Sequence, residues 1–313
     1  MTNMTGTTNV VGDFAEAADV GETVGYYGKP IVEPHVWKDY IGWYFFTGGL
    51  AGASSVIAAV AELAKQPALA RHARRASMIG LLPSPAQLIA DLGRPKRFVY
   101  MLRVMKPTSP MSVGSWLLAL YAPLAAGSAM LGELHVVPRL RRALTIGAGL
   151  VGPTIATYTG VLVADTATPV WHRARRELPM LFASSAAATA GAVTTMLSCL
   201  DGRRLGAAAR VASAGAVAEV FTATLMKRRL GELDTYRTDP AAARLDIAGR
   251  RLSLAGAALM IVAGRRRTLS IVAGAGIAAG SACERLAVLR AGTASANDPR
   301  SVLLASAMDA RLE

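Results

Sequence analysis

Residues 40–61 read YIGWYFFTGGLAGASSVIAAVA, an uninterrupted run without a charged side chain. A helix of roughly 22 residues rises 1.5 Å per residue and spans about 30 Å of hydrocarbon. The run is rich in Gly, Ala and Ser, which let membrane helices approach each other closely. This stretch therefore predicts a membrane-spanning helix, and it sets the fold class of the whole chain.

The composition of the 313 residues agrees with that interpretation. Hydrophobic residues make up 52% of the chain and charged residues 18%, with a mean hydropathy of +0.35. Soluble proteins carry about 25% charged residues, so this chain has too little polar surface for one. The net charge of +13 comes from short basic clusters between uncharged runs. That distribution is typical of loops at a membrane surface and argues against a nucleic-acid partner.

Seven further spans are predicted; the last three of them contain charged residues, and the span at 115–137 has Glu133 near its end. They cover residues 76–90, 115–137, 143–164, 179–200, 205–226, 247–264 and 268–289. We therefore predict an all-α integral membrane protein with about eight transmembrane helices. The membrane domain would cover residues 39–290, between extramembrane tails at 1–38 and 291–313.

An even number of spans places both termini on one side of the membrane, called the terminal side below. Loops 92–114, 165–178 and 227–246 share that side. The short turns on the opposite side are dense in arginine, as at 138–142, which favours a cytoplasmic location for them. The long loops nevertheless contain more Lys and Arg in total, so the orientation stays open.

No redox centre is predicted within the chain. Cys199 and Cys283 are the only cysteines, whereas an iron–sulfur cluster is usually held by four thiolates. A haem with two histidine ligands needs them at matching depth on facing helices, and only His135 lies near a span interior. We therefore expect no haem, no iron–sulfur cluster and no metal site.

Ionisable residues within or beside the spans are candidates for proton transfer, because each is costly in a membrane unless it is paired. Asp91 and Asp165 end two spans, where solvation at the membrane interface is an equal explanation. Glu219 lies near the middle of the sixth span, where it would move protons or pair with Arg210. Glu284 and Arg285 are adjacent and cannot face one another on a helix, so each needs a partner on another helix.

Two loops on the terminal side combine basic residues, prolines and an aromatic residue. The first extends from Asp91 to Trp116 and the second from Asp165 to Arg173. Such loops suit a docking surface for a partner protein, and equally the anchoring of Arg and Trp among lipid headgroups.

These loops, with three other stretches, resemble the NrfD/polysulfide reductase membrane-subunit family. The matching stretches are Tyr26–Pro30 continuing into Trp37 and Tyr44–Gly52, Asp91–Phe98, Lys106–Trp116, Tyr158–Leu162 with Pro169–His172, and Arg285 with 291–299. They occur in family order over almost the whole chain. The resemblance implies two packed four-helix groups that anchor molybdopterin and iron–sulfur oxidoreductases.

The resemblance also implies partners and a quinone site. A ferredoxin-like iron–sulfur subunit, and through it a molybdopterin catalytic subunit, would dock on the two terminal-side loops. The docking residues would be Arg94, Pro95, Arg97, Lys106, Ser109, Trp171, His172 and Arg173. Beneath that subunit, menaquinone or ubiquinone would contact Tyr158, Trp37, Asp39 and Tyr40.

Quinone chemistry is compatible with those residues. Two electrons and two protons reduce a quinone, so each carbonyl oxygen requires a hydrogen-bond donor. The hydroxyl of Tyr158 donates without carrying charge, and Asp39 or Asp165 could pass protons from water. A core tyrosine with a satisfied hydroxyl is the alternative for Tyr158. The predicted function is thus that of a plasma-membrane subunit exchanging electrons between an iron–sulfur partner and quinone.

Two other functions remain open from the sequence. A secondary transporter often has corresponding broken helices in its two halves. Here Pro83, Pro85, Pro123 and Pro153 interrupt only the first half, which argues against such a repeat. A purely structural membrane anchor is the second alternative.

Overall fold

The computed structural model shows a bundle of helices. It describes residues 37, 39–92, 100–103, 105–203, 206–264 and 266–309. Over these ranges the regular secondary structure is helical, without a β-strand. The predicted all-α class is confirmed.

The helices are numbered in chain order. They are α1 (Asp39–Leu63), α2 (Pro67–Leu81), α3 (Pro83–Leu92), α4 (Pro110–Leu134), α5 (Pro138–Ala164), α6 (Pro169–Arg173), α7 (Glu177–Leu200), α8 (Gly206–Leu230), α9 (Thr235–Thr238), α10 (Pro240–Val262), α11 (Arg267–Asn297) and α12 (Pro299–Asp309). Several begin at a proline, whose fixed φ suits the first helical turn and whose missing N–H is not needed there.

Five of these helices are long and apolar enough to cross a membrane, namely α1, α4, α5, α7 and α11. The 25 residues of α8 and the 23 residues of α10 also suffice in length, but these helices are more polar. An integral membrane protein is therefore confirmed. Spans in α8, in α10 and in α2 with α3 stay predictions.

The predicted span at 76–90 is divided between two helices. α2 ends at Leu81 and α3 begins at Pro83, since a proline within a continuous helix would lack one backbone hydrogen bond. α2 also begins earlier than predicted, at Pro67, and includes Arg74. This charged residue is accommodated because its guanidinium pairs with a carboxylate of α1.

The end of the last predicted span also differs from the structure. α11 continues to Asn297 instead of ending at Leu289, and Ala291 and Ser295 are fully buried. The start of the predicted tail at 291–313 is thus part of the helix bundle, and α12 follows it. The small residues near the end of α11, such as Ala291 and Ser295, let this helix stay packed beyond its apolar run. Hydropathy alone does not reveal this packing.

The long helices form two packed groups, as the family resemblance implied. The first consists of α1, α2, α4 and α5, and the second of α7, α8, α10 and α11. α7 joins the groups through contacts with α1, α2 and α5. The helices approach closely at glycines: a Cβ built on Gly52 would lie 2.5 Å from the carbonyl oxygen of Gly152. Such contacts between small residues take the place of large apolar side chains.

Ion pairs connect helix ends on both sides of the bundle. On the terminal side, Arg290 of α11 lies 2.9 Å from Asp39 of α1. On the opposite side, Glu62 lies 3.1 Å from Arg74 and 2.9 Å from Arg141. The start of α1 and the end of α11 therefore lie together, as the alternating spans require.

Candidate functional site

A narrow cavity lies at the terminal-side end of the first four-helix group. Its volume is about 40 Å³, which suffices for one or two water molecules. It is lined by Trp37, Ile41, Tyr44, Phe45, Leu88, Asp91, Met101, Met111, Gly114, Ser115, Tyr158 and Leu162. Helices α1, α3, α4 and α5 thus all contribute to one cavity.

Tyr158 is placed in this cavity by α5. Seven residues separate it from Asp165, the residue that follows the last turn of α5, so it lies about 10 Å below the end of the helix. Its ring occupies the space left by Gly114 on α4: a Cβ there would be 1.9 Å from Cζ of Tyr158. Only glycine leaves room for the ring in this position.

A second tyrosine, Tyr44 of α1, faces the same cavity. Neither the Tyr44 hydroxyl nor the Tyr158 hydroxyl makes a hydrogen bond to a described residue. By contrast, Tyr121 of α4 is fully buried and donates to the carbonyl oxygen of Ala51 at 2.6 Å. The two cavity tyrosines therefore differ from a tyrosine whose hydroxyl is satisfied within the core.

An aromatic cluster forms one wall of the cavity. The ring of Trp37 stacks on Trp171 at 5.5 Å and meets the edge of Phe45 at 6.4 Å. Trp171 is 2% exposed, and its Nε1 donates to the carbonyl oxygen of Val288 at 2.9 Å. Trp171 therefore belongs to the core behind Trp37 and adds no exposed surface for docking.

Three predicted site residues do not line the cavity. The Asp39 carboxylate lies at the bundle surface with Arg290, and the Tyr40 side chain is 50% exposed. Asp165 is exposed at the end of α5. Of the four predicted quinone contacts, the structure brings together Tyr158 and Trp37.

The two remaining proton-transfer candidates occupy different places. Asp91 lines the cavity at the end of α3. Glu219 lies in the second four-helix group, where Ser253 and Ser281 donate to its Oε2. The hypothetical pair with Arg210 does not form, because nine residues at 100° each place the two side chains on opposite faces of α8.

The predicted docking residues are distributed unevenly. Arg94, Pro95 and Arg97 lie outside the described residues. Before α4, Lys106 is exposed, and the amide of Ser109 donates to its carbonyl oxygen at 3.0 Å. On α6, His172 is exposed and Arg173 is partly buried. The segment before α4 and helix α6 both adjoin helix ends on the terminal side. The four described docking residues outside the core, Lys106, Ser109, His172 and Arg173, therefore share that side.

The sequence interpretation did not select Tyr44 as a site residue, although it quoted the stretch that contains it. Ile41, Tyr44 and Phe45 have the spacing of one helix face, and all three are buried. That spacing indicates a packed face but does not show which neighbour it meets. Gly114 was likewise only one of many glycines in the sequence.

The chain matches the model of a known protein family. The family model described as polysulphide reductase, NrfD, matches residues 31–226, more than half of the chain. The matched region contains every helix that contributes to the cavity. No curated protein is significantly similar in sequence.

Proposed function

We propose, since the chain belongs to the polysulphide reductase NrfD family, that it exchanges electrons between an iron–sulfur partner and membrane quinone. The family consists of membrane subunits of oxidoreductase complexes, generally associated with iron–sulfur and molybdopterin subunits. A multi-pass membrane protein agrees with the helices described above. The quinone, the individual partners and a plasma-membrane location are part of the proposal.

The observation that carries the proposal is the pair of tyrosine hydroxyls at one cavity. Tyr44 and Tyr158 face the cavity, and neither hydroxyl has a hydrogen-bond partner among the described residues. A quinone carries carbonyl oxygens that accept hydrogen bonds and gain negative charge on reduction. Uncharged donors at the edge of an apolar helix bundle stabilise such an oxygen strongly.

The cavity must widen to admit a quinone ring, because a volume of about 40 Å³ holds little more than water. Met101 and Met111 line it on the terminal side. Methionine side chains are unbranched and change conformation readily. We expect these two side chains to move when the head group enters between α1, α4 and α5.

Asp91 is the carboxylate best placed for proton exchange with this cavity. It is partly exposed at the end of α3 and lines the cavity together with Tyr158. A carboxylate at this boundary can exchange protons between terminal-side water and the bound head group. Asp39 and Asp165 lie at the bundle surface and do not line the cavity.

The partner is proposed to dock over the same end of the bundle. Lys106 and His172 are exposed there, and so are the apolar side chains of Tyr100 and Met105. A mixed basic and apolar surface suits an iron–sulfur protein with complementary carboxylates. Electrons would then enter the cavity from the partner's cluster.

The test compares two activities of the purified complex carrying Tyr158→Phe or Tyr44→Phe. Each change removes one hydroxyl and little volume. Loss of a hydrogen bond to a developing anionic oxygen costs about 3 kcal/mol, so we expect quinone-linked turnover to fall about 100-fold for Tyr158→Phe. Turnover with a dye that reacts at the soluble partner should not change.

Tyr40→Phe is the matched control, because Tyr40 is half exposed and does not line the cavity. It should keep the wild-type rate in both assays. Equal quinone-linked rates in the wild type and both cavity variants would contradict the proposed site. A purely structural anchor would show that result together with intact assembly.

A further inference from the structure

Besides Glu177, which pairs with Arg229, three carboxylates lie buried on α8, α10 and α11 of the second four-helix group, away from the cavity. Asp246 of α10 is 5% exposed, and Glu284 of α11 and Glu219 of α8 are each 2% exposed. Burying a carboxylate in a membrane protein costs several kcal/mol unless it is paired or neutral. Their presence in a bundle built of Ala, Gly and Leu therefore requires a physical explanation.

Glu219 is held by hydroxyl groups and not by a cation. The hydroxyls of Ser253 and Ser281 donate to its Oε2 at 3.1 and 2.9 Å. Its Oε1 is buried and has no hydrogen-bond partner in the described part of the chain. One oxygen of this carboxyl group is thus satisfied and the other is free to carry a proton.

Glu284 lies between Glu219 and the terminal-side surface. Its Oε1 is also buried without a partner among the described residues. Gly249 of α10 packs directly against this point of α11: a Cβ there would be 3.2 Å from the amide nitrogen of Glu284. Asp246 lies about one turn nearer the start of α10, on the terminal side, where it forms an ion pair with Lys227.

The nearby cations are already bound elsewhere. Lys227 pairs with Asp246, and Arg250 donates to the hydroxyl of Thr224 at 3.4 Å. Arg285 donates to Ser185 Oγ and to the carbonyl oxygens of Phe45 and Phe182. Neither Glu219 nor Glu284 therefore has a direct ion-pair partner in the described ranges.

Cys283 and Tyr236 are further titratable neighbours of Glu284, and Tyr236 stays neutral. Tyr236 of α9 lies outside the membrane-spanning helices and packs beneath the ammonium group of Lys227 at 5.0 Å. Burial, followed by the charges of Glu284, Asp246 and Asp234, raises the pKa of Tyr236 well above its usual range. Glu219 and Glu284 thus lie near the positive charges of Arg285, Lys227 and Arg250, none of which forms an ion pair with either carboxyl group in the described ranges.

We propose that Glu219 and Glu284 form a proton-binding site inside the second four-helix group, which exchanges its proton with terminal-side water through Asp246. The proton is bound at Oε1 of Glu219 or at Oε1 of Glu284. Ser253 and Ser281 hold the other oxygen of Glu219, Oε2, in place. The ladder from Asp246 to Glu284 to Glu219 follows the α10–α11 contact, where glycines bring the helices together. This site does not depend on quinone binding at the cavity.

An apolar carbodiimide tests the proton directly. Dicyclohexylcarbodiimide takes the proton of a buried carboxylic acid onto its nitrogen, while the carboxylate oxygen bonds to its central carbon; rearrangement leaves a stable N-acylurea. The purified full-length protein in lipid vesicles is treated with the reagent and its peptides are analysed by mass spectrometry. We expect a label on Glu219 or Glu284 that decreases as the pH of the reaction is raised.

Glu62 is the internal control in the same sample. It is also buried to about nine-tenths but pairs with two arginines, Arg74 and Arg141, so it should remain unlabelled. Absence of label from both Glu219 and Glu284 would overturn the proposal. Equal labelling of Glu62 would also overturn it, since the reagent would then report burial and not protonation.

The access route is tested by exchange into deuterated water. The infrared C=O stretch of a protonated carboxyl group shifts when its proton is replaced by deuterium, and Glu219→Gln together with Glu284→Gln should remove this band. Asp246→Asn should slow the exchange at least 10-fold without removing the band. An unchanged exchange rate in Asp246→Asn would overturn the route through Asp246.

Discussion

Tyr158 of α5 lies with its ring against the backbone of Gly114 of α4, so closely that a Cβ at Gly114 would be 1.9 Å from the Tyr158 Cζ. The contact connects the end of α5 to the start of α4 on the terminal side. It also holds the Tyr158 hydroxyl at the cavity without a hydrogen-bond partner among the described residues. Gly114 is therefore a determinant of the candidate site although it has no side chain.

Gly114→Ala should displace the Tyr158 ring. Forcing an extra methyl group into a packed position costs about 1–3 kcal/mol, so we expect the free energy of unfolding in detergent to fall by that amount. Gly206→Ala is the control, because a Cβ at Gly206 has open space around it. Unchanged stability and unchanged quinone-linked turnover in Gly114→Ala would show that the ring does not need this glycine.

Arg285→Lys should destabilise the bundle while keeping the positive charge. The guanidinium reaches acceptors on α1 and α7 at once, with distances of 2.9 Å to Phe45 O and 2.7 Å to Phe182 O. Lysine lacks the planar fork and leaves at least one buried acceptor without this donor. Because hydrogen bonds to charged groups contribute about 1.5–3 kcal/mol each, we expect a loss of about 3 kcal/mol in the free energy of unfolding.

Arg210→Lys serves as the matched control for that change, since Arg210 is exposed on α8. Its stability should stay within about 0.5 kcal/mol of the wild type. If chemical denaturation gives the same midpoint for both variants, Arg285 does not hold the two groups together.

Trp171→Phe should loosen the wall behind Trp37. The change removes the donor to the Val288 carbonyl oxygen and part of a fully buried side chain that fits against Gly292. We expect a loss of about 2 kcal/mol in the free energy of unfolding. Thermal unfolding measures this loss. Trp116→Phe, at a side chain that is 37% exposed, should have little effect in the same measurement.

Charge reversal should weaken partner binding at the proposed docking face but have no effect at the opposite side of the bundle. The double change Lys106→Glu and Arg173→Glu is expected to reduce co-purification of an iron–sulfur partner at least 10-fold, because both residues lie at the terminal-side end. Arg139→Glu, exposed at the opposite end, should leave co-purification unchanged. Equal recovery of the partner in both variants would place docking elsewhere.

The periodic and compositional features of the chain predicted most of the helices correctly. Long runs such as 40–61 are apolar because a lipid-facing or helix-facing surface requires it, so their class follows from local sequence alone. The prediction was less accurate where charged residues lie inside helices. Arg74 in α2 is tolerated only because Glu62 of α1 reaches it, and hydropathy cannot detect that pairing.

The candidate site shows the same division. Tyr158, Trp37 and Asp91 were selected from the sequence, and the structure places all three at one cavity. Asp39 and Tyr40 lie two and three residues after Trp37, yet neither lines the cavity, because they begin α1 at the bundle surface, where Asp39 pairs with Arg290 and Tyr40 is half exposed. Tyr44, one turn further along α1, lines the cavity instead of these two residues.

The sequence by itself determined that this chain is an α-helical membrane protein of the NrfD family. Span length, apolar composition and the stretches that resemble the family are properties of short segments and do not depend on how the helices pack. Only the tertiary structure decided which polar groups meet. Tyr44 faces the cavity of Tyr158, and Ser253 and Ser281 meet Glu219, through helices far apart in the chain. These pairings depend on helix rotation and on the close approach at glycines, which emerge only when all the helices pack together.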